Sequence, residues 1–341
     1  MQLRNLVCKV WVGLTVLALS SAALAQYKLT NLVSNQIGQA RRADPFIVNA
    51  WGLVYAPGSP FWVSDAGSGW STLYDGTGKK QSLIVEVASA GDAGPGTPTG
   101  IVFNGSQEFQ VKGWASIFIF ATLDGTISGW APQSDVHNTI IAVDTSKAKS
   151  PAVYTGLAVT SKSTGNRLFA ADSANGKVDM YDGTFTLLGS FTDPSVPSGF
   201  VPFGIQDIGG LLYVTFADAA GGSGGVVDIF NEDGVWQKTL ASGAPLNQPW
   251  GVAMAPANFG PLSNTILVSN NTNSGAINAF NPTTGKPVGI VRDTTGKPIR
   301  IDQLWAIRFG GGSANDGRTN QLFFTAGPSN NLAGTFGVIT F

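Results

Sequence analysis

Acidic and amide side chains recur at one place in the repeating pattern of this sequence, next to short apolar runs typical of strands. Asp65, Asp172, Asp218 and Asn270 each follow such a run, and Asn49 precedes one. Several carboxylates that face one axis repel each other, and a divalent cation such as calcium relieves that repulsion. We therefore predict a ligand-binding site where these five side chains converge, with one divalent cation as the candidate cofactor.

Turn capping is the other explanation of the same residues. Asp65 is followed by Ala-Gly, Asp172 by Ser-Ala-Asn-Gly and Asp218 by Ala-Ala-Gly-Gly. An Asp in such a context closes a strand with an Asx-turn. The two explanations can hold in different repeats, and neither assigns a catalytic residue or a defined metal ligand.

The elements that position these side chains form a repeat. The strings AWGLVYAP, TPTGIVFN, VYTGLAVT, VPFGIQDI, QPWGVAMA and QLWAIRFG align on one small residue and recur about every fifty residues. Within the units, short apolar strands alternate with hairpin signals such as YDGTG and FNPTTG. This pattern predicts an all-β protein, a six-bladed β-propeller, as one domain over residues 26–341.

The ends of the repeat predict how the ring closes. The last unit lacks one strand, and YKLTNLVS near the start of the chain can supply it, so we predict that an N-terminal strand closes the last blade. Small residues at the alignment position let inner strands approach each other at the axis. The adjacent aromatic residues are predicted to fill gaps between neighbouring blades: Trp51, Phe203, Trp250 and Trp305.

The first 25 residues have the pattern of a signal peptide. Arg4 and Lys9 accompany an apolar stretch, and SAALAQ places small residues at Ala23 and Ala25, which predicts cleavage before Gln26. The remaining chain then has no cysteine and is expected to be secreted or periplasmic. No later segment is apolar enough to span a membrane. Charged residues make up 12% of the chain without a basic run, which excludes a nucleic-acid binder.

Several longer strings carry a family resemblance. NAWGLVYAPGSPFWVSDAGSGW, FIFATLDGTISGW, VPFGIQDIGGLLYVTFA and PLNQPWGVAMAPANFG resemble a family of secreted bacterial proteins catalogued as conserved hypothetical, some with a PEP-CTERM sorting segment. That family is similar to NHL-repeat and SMP-30/gluconolactonase-type six-bladed propellers. The resemblance covers residues 27–341 and implies the fold and export, with no established activity.

The resemblance to SMP-30-like enzymes does not extend to their metal ligands. Those enzymes place a Glu, an Asn and an Asp around a divalent ion at the axis. In this chain Glu86, Glu108 and Glu232 all lie away from the starts of the inner strands, so the Glu ligand has no counterpart. The resemblance therefore gives weak support to lactonase activity.

The remaining residues with chemical potential are one histidine and several tryptophans. His137 follows a Gly-Trp-Ala-Pro turn and is predicted to lie in a solvated loop, without a G-x-S-x-G nucleophile motif. Five tryptophans lie outside the inner strands, and those that are exposed could stack on sugar rings: Trp62, Trp70, Trp114, Trp130 and Trp236.

We expect a monomeric, exported, non-catalytic propeller that binds a small molecule, a glycan or a protein on one face. The alternative is a metal-dependent hydrolase or lactonase that works at the mouth of the central channel. Convergence of the predicted polar side chains within metal-bonding range distinguishes the two.

Overall fold

The computed structural model of the chain describes residues 27–92, 94–162 and 165–341. The predicted signal peptide, residues 1–25, lies outside the described residues. Six sheets follow one another along the described chain, all antiparallel except for one parallel pair of strands at the edge of the last sheet. Each inner strand contacts the inner strand of the next sheet, and the sixth contacts the first. The prediction of an all-β, six-bladed propeller is confirmed.

The chain starts with two strands of the last blade, β1 (Lys28–Ser34) and β2 (Arg42–Ala43). Blade 1 contains β3 (Ala50–Val54), β4 (Phe61–Asp65), β5 (Trp70–Tyr74) and β6 (Lys80–Glu86). Blade 2 contains β7 (Pro98–Phe103), a small separate hairpin of β8 (Gln110–Val111) and β9 (Trp114–Ala115), then β10 (Phe118–Thr122), β11 (Thr126–Trp130) and β12 (Ile140–Asp144). Blade 3 contains β13 (Tyr154–Thr160), β14 (Arg167–Asp172), β15 (Lys177–Asp182) and β16 (Leu187–Phe191).

The second half of the ring repeats this order from inner to outer strand. Blade 4 contains β17 (Phe200–Ile208), β18 (Leu211–Asp218), β19 (Val226–Asn231) and β20 (Trp236–Ser242). Blade 5 contains β21 (Pro249–Met254), β22 (Ile266–Asn270), β23 (Ile277–Phe280) and β24 (Pro287–Ile290). Blade 6 contains β25 (Leu304–Phe309), β26 (Leu322–Ala326) and β27 (Thr335–Thr340). Short 3-10 turns lie at Ala90–Asp92 and Gly260–Leu262.

The N-terminal strand closes the ring as predicted. β27 pairs with β26 on one side and, antiparallel, with β1 on the other, with Leu29 opposite Ile339 and Ser34 opposite Thr335. Tyr27 is buried, and its hydroxyl donates a hydrogen bond to the carbonyl oxygen of Phe259 at 2.6 Å. The start of the described chain is therefore tied to both blade 6 and blade 5.

Backbone crowding at the axis explains the small residue of the repeat. A Cβ on Gly52 would lie 2.3 Å from the carbonyl oxygen of Thr99 in the next inner strand. A Cβ on Gly204 would lie 2.1 Å from the carbonyl oxygen of Trp250. Both distances are far below van der Waals contact, so the alignment position admits glycine for the reason that the sequence suggested.

Apolar side chains from facing sheets form the core between neighbouring blades. Phe61 of blade 1, for example, packs on Phe323 and Phe336 of blade 6 at ring-centroid distances of 4.4 and 5.4 Å. These interfaces hold the six sheets as one ring around the axis. In the part of the chain that the structure describes, no helix has the length and apolar character that crossing a membrane requires.

Candidate functional site

The central axis has two ends with different side chains. The inner strands begin at one end, the Trp mouth, which we define by Trp51, Phe203, Trp250 and Trp305. They finish at the other end, the Arg mouth, which we define by Tyr55, Gln206, Asp207, Met254 and Arg308. Between the two lies a cavity of about 30 Å³ lined by residues of the inner strands. The site predicted from the sequence belongs to the Trp mouth.

Aromatic rings fill the axis at the Trp mouth. Trp51 of blade 1 stacks on Trp305 of blade 6, with centroids 3.6 Å apart and an interplanar angle of 16°. Phe203 of blade 4 and Trp250 of blade 5 each lie 6.4 Å from Trp51. The sequence placed these rings between neighbouring blades, whereas rings from opposite sides of the propeller meet here. The inner strands converge so closely that side chains at their starts reach the axis itself.

Two indole N–H groups of this cluster are tied to the surrounding backbone and side chains. The Nε1 of Trp305 donates to Oδ1 of Asn49 at 2.9 Å, and this bond is buried. The Nε1 of Trp250 donates to the carbonyl oxygen of Thr155 at 2.9 Å. Asn49, predicted to bind a ligand, thus orients an aromatic ring of the axis.

Asn49 also belongs to a recurring backbone clamp. Asn49, Gln248 and Gln303 each lie two residues before a tryptophan and adopt positive φ angles of 47°, 52° and 49°. Their carbonyl oxygens accept hydrogen bonds from the residue that follows the second strand of the same blade, at 2.8–3.1 Å; the donors are Ala66, Asn271 and Gly327. These polar residues shape the entry of the inner strand.

Asp65 is turned into the interior of its own blade. It is fully buried, and its Oδ2 accepts hydrogen bonds from the backbone N–H of Thr72 at 3.1 Å and from the Thr72 hydroxyl at 2.7 Å. Its Oδ1 is buried and has no hydrogen-bond partner. Burial raises the pKa of Asp65 well above its usual range, so the fold favours the neutral carboxyl group.

Asp172 and Asp218 cap the turns that follow them. Oδ1 of Asp172 accepts from the backbone N–H of Val153 at 3.1 Å and of Asn175 at 3.2 Å, and its Oδ2 accepts from Nδ2 of Asn175 at 2.6 Å. Oδ1 of Asp218 accepts from the N–H of Ala220 at 2.9 Å. This is the Asx-turn arrangement that the sequence offered as the alternative.

Asn270 is bound to the connection between blades 4 and 5. It is 6% exposed, and its Nδ2 donates to the carbonyl oxygen of Pro245 at 2.9 Å. Its Oδ1 is buried without a hydrogen-bond partner. Because its Nδ2 binds Pro245, Asn270 stabilises the junction between blades 4 and 5.

The five predicted side chains make different hydrogen bonds, and two of their buried oxygens, Oδ1 of Asp65 and Oδ1 of Asn270, have no partner among the described residues. Oδ1 of Asn49 accepts from Trp305 of blade 6, whereas the other four side chains bond within their own blade or to the adjacent connection. Across residues 27–92, 94–162 and 165–341, no group of three or more His, Cys, Asp or Glu side chains is placed to hold a metal ion. Their role as ligand-binding residues stays a prediction, and the hydrogen bonds present are those of turns and blade junctions.

The Arg mouth contains an unpaired charge. Arg308 lies in β25, and its Cζ is 5.1 Å from the ring centroid of Tyr55. Its Nε is buried without a hydrogen-bond partner. Three ion pairs occur within the described residues, and Arg308 takes part in none of them. Burial lowers the pKa of Arg308, while the nearby Tyr55 hydroxyl acts in the opposite direction. A guanidinium nevertheless keeps its charge in proteins.

The unpaired guanidinium borders a cavity of about 180 Å³ that crosses the end of the axis. The Tyr55 hydroxyl donates to the carbonyl oxygen of Phe309 at 3.1 Å, which fixes the ring beneath Arg308. Asp207 also lines the cavity, but its Oδ1 accepts from the backbone N–H of Gly210 at 3.0 Å. Burial raises the pKa of Asp207, which disfavours its ionised form.

Sequence reasoning missed Arg308, although the repeat contains a signal for it. Arg308 lies two residues after the aligned small residue of the sixth unit. The other five units carry uncharged residues at that position: Val54, Val102, Ala158, Gln206 and Ala253. One charged residue in a column of core positions marks a place where one blade departs from the packing rule.

His137 is exposed, as predicted for a solvated loop residue. Among the tryptophans outside the inner strands, Trp62 and Trp130 are buried, whereas Trp114 and Trp236 are 51% and 46% exposed. Trp70 is half-buried. Of the five, Trp114 and Trp236 therefore offer the most surface for stacking on a ligand.

Comparison with known sequences shows three viral relatives, two of which match over most of their length. No family model matches the chain. It is 30% identical over 337 residues to the uncharacterized protein R648 of Acanthamoeba polyphaga mimivirus, covering 93% of this chain and 81% of that protein. It is 29% identical over 289 residues to the uncharacterized protein L690 of the same virus, covering 78% of this chain and 74% of that protein.

Comparison with solved structures shows the fold. Virginiamycin B lyase from Staphylococcus aureus superimposes with a TM-score of 0.51 at 12% identity, covering 93% of this chain and 100% of the enzyme. A protein of unknown function from Bacteroides thetaiotaomicron gives a TM-score of 0.56 at 11% identity, covering 92% of this chain and 76% of that chain. At such low identity the likeness extends to the propeller architecture alone.

Proposed function

This chain belongs to the family of the uncharacterized protein R648 of Acanthamoeba polyphaga mimivirus, and from that starting point we propose that it is a non-catalytic binding propeller. Its ligand is a small carboxylate that enters the Arg mouth. The observation that carries this proposal is Arg308, which lines a cavity of about 180 Å³ and forms no ion pair with any described residue.

Electrostatics favours an anionic ligand at this position. A charge that is partly removed from water is stabilised by an opposite charge, and Arg308 has no ion pair among the residues that the structure describes. A carboxylate matches the planar fork of a guanidinium with two parallel hydrogen bonds. The remaining cavity wall includes Ile208, Val252 and Met254, which suits a ligand with a short apolar body.

The state of the Trp mouth supports binding over hydrolysis. With a single histidine in the chain, a metal-dependent hydrolase would need carboxylates that converge on one ion. Here Asp172 and Asp218 accept hydrogen bonds from their own turns, and Asp65 accepts from Thr72 within blade 1. We therefore assign these residues to the stability of the ring.

Thermal unfolding with added propionate, succinate or benzoate tests the proposal. At a concentration one hundred times the dissociation constant, a ligand specific for the folded state stabilises it by about 2.7 kcal/mol. We expect a saturable rise in the unfolding temperature for wild type and for Arg318→Gln, an exposed arginine that serves as control. Arg308→Gln should lose the effect. A rise that persists in Arg308→Gln, or no rise with any of the three acids, would overturn the proposal.

A metal assay separates this proposal from the hydrolase alternative. We expect the unfolding temperature to be the same before and after chelation, because the described carboxylates serve as turn caps. One divalent ion per chain, with a large fall in unfolding temperature after its removal, would instead support a metal site at the Trp mouth.

Export is part of the proposed function. The support for it is the pattern of residues 1–25, with a basic start, an apolar stretch and small residues before Gln26. N-terminal sequencing of protein recovered from periplasm and medium checks the cleavage site. A chain that retains residues 1–25 in the cytoplasm would contradict export.

A further inference from the structure

Blade 2 carries a second concave surface that shares no lining residue with the Arg mouth. This surface, the Trp114 groove, has a volume of about 450 Å³ and lies between the loop that joins β7 to β10 and the turn after β11. Its wall includes Phe103, Asn104, Ser106, Gln107, Trp114 and Gln133. None of the residues that line it carries a charge.

Trp114 is exposed although its position is rigidly defined. Its side chain is 51% exposed at the start of β9. The hairpin turn before it consists of Lys112 and Gly113 with positive φ angles of 49° and 82°, the pattern of a tight type I′ connection. The hairpin therefore places this aromatic side chain in a defined position at the wall of the groove.

The loop beneath Trp114 is anchored by buried groups. Nδ2 of Asn104 donates to the carbonyl oxygens of Glu108 and Ser116 at 2.9 and 2.8 Å. The Ser116 hydroxyl donates to the carbonyl oxygen of Phe109 at 2.7 Å. The N–H of Phe109, a fully buried residue, donates to Gly183 of blade 3 at 2.6 Å. Such a preformed surface loses little conformational entropy when a ligand binds.

Two amide side chains at the groove are free to bind a ligand. Gln107 and Gln133 are exposed, and neither side chain makes a hydrogen bond to another described residue. A primary amide both donates and accepts hydrogen bonds, and therefore matches hydroxyl groups in either orientation. The absence of charge on the wall favours a neutral ligand.

We propose that the Trp114 groove binds a neutral carbohydrate. One pyranose ring packs its C–H face on the Trp114 indole, and its hydroxyl groups bind the amides of Gln107 and Gln133. A nucleic acid also stacks on aromatic rings, but it requires a positively charged groove. The uncharged wall selects the carbohydrate.

Isothermal titration with maltohexaose, cellohexaose and mannohexaose tests this proposal. We expect wild type to bind at least one of these neutral hexasaccharides. Trp114→Ala should weaken that binding by about fivefold or more, because an aromatic stacking contact contributes about 1 kcal/mol or more. Trp236→Ala, which removes a comparably exposed tryptophan on blade 4, should leave binding unchanged.

Further variants separate this site from the Arg mouth. Gln133→Ala should weaken hexasaccharide binding by about fivefold, as expected for the loss of one hydrogen bond. Arg308→Gln should bind the hexasaccharide as wild type does. Equal binding by Trp114→Ala and wild type, or no binding of any of the three hexasaccharides by wild type, would overturn the carbohydrate proposal and leave the Arg mouth unaffected.

Discussion

The inner strands begin at packed aromatic rings at the Trp mouth and end at an open cavity at the Arg mouth. At the Trp mouth, Trp51 and Trp305 are 5% and 2% exposed and stack at 3.6 Å. At the Arg mouth, the guanidinium of Arg308 faces a cavity of about 180 Å³ with no ion-pair partner in the described chain. At the Trp mouth, polar residues at strand ends make hydrogen bonds to turns and blade junctions. At the Arg mouth, a charged residue without an ion pair is the basis of the proposed ligand site.

The largest expected effect lies in the aromatic cluster. Trp305→Ala removes the stack on Trp51 and the hydrogen bond to Asn49, and should lower the free energy of unfolding by about 4 kcal/mol. Trp236→Ala, at an exposed position, should change it by about 0.5 kcal/mol or less. Chemical denaturation of both variants gives the comparison. Equal effects would mean that the Trp mouth is not a packed core.

The second-largest loss of stability is expected where the backbones of the inner strands crowd at the axis. Gly204→Ala would place a Cβ 2.1 Å from the carbonyl oxygen of Trp250, and should destabilise the ring by about 3 kcal/mol. Gly289→Ala is the matched control, because its nearest neighbour would be the flexible Leu262 side chain at 3.4 Å. Denaturation curves that coincide for the two variants would contradict the close approach of β17 and β21, the inner strands of blades 4 and 5.

The pH dependence of stability tests the buried carboxyl group. Because burial raises the pKa of Asp65 above its unfolded value of about 3.9, the folded state binds more protons than the unfolded state. Its contribution to stability is therefore fully present below about pH 3.9 and is lost as pH rises through the folded pKa. The free energy of unfolding of Asp65→Asn, measured relative to wild type, should therefore be higher at pH 8 than at pH 4.

Asp293 serves as a control, because the fold lowers its pKa instead of raising it. Hydrogen bonds from Thr295 lower the pKa of Asp293, so Asp293→Asn should lose stability relative to wild type as pH rises from 2 to 8. Unfolding temperatures measured across this pH range give both trends. A pH profile of Asp65→Asn parallel to that of wild type would show that Asp65 is ionised without cost in the fold.

The smallest effect on stability is expected at the Arg mouth. Arg308→Met removes a partly buried, unpaired charge, and loses the contact of the guanidinium with Tyr55. The two changes oppose each other, so the variant should be as stable as wild type or about 1 kcal/mol more stable. A loss of stability as large as that of Trp305→Ala would make Arg308 a structural residue.

The sequence predicted the ring well because its signals are local and repeated. The spacing of Gly52, Gly100 and their equivalents follows from backbone contact at the axis, which every blade must satisfy. The pairing of β1 with β27 was also predictable, since one outer strand was missing from the last unit. A geometric requirement that places glycine in five units, and alanine in the sixth, leaves a clear pattern.

The candidate site was harder to predict because side-chain direction at a strand end depends on the local turn. Asp172 and Asp218 have the residue types of a metal site, yet the Oδ1 of each accepts a hydrogen bond from a backbone N–H two or three residues further on. Arg308 occurs in one unit only and has no repeated pattern. The one sequence signal for Arg308 was that the equivalent position is uncharged in the other five repeat units.

A crystal of the protein soaked with 3-bromopropionate tests the difference between the mouths most directly, because anomalous scattering locates the bromine. We predict the carboxylate of this probe on the guanidinium of Arg308, with its carbon chain toward Met254, and no bromine at the Trp mouth. Bromine beside Asp65 or Asn270, or an empty Arg mouth at a concentration that saturates the thermal shift, would contradict the assignment of ligand binding to the Arg mouth.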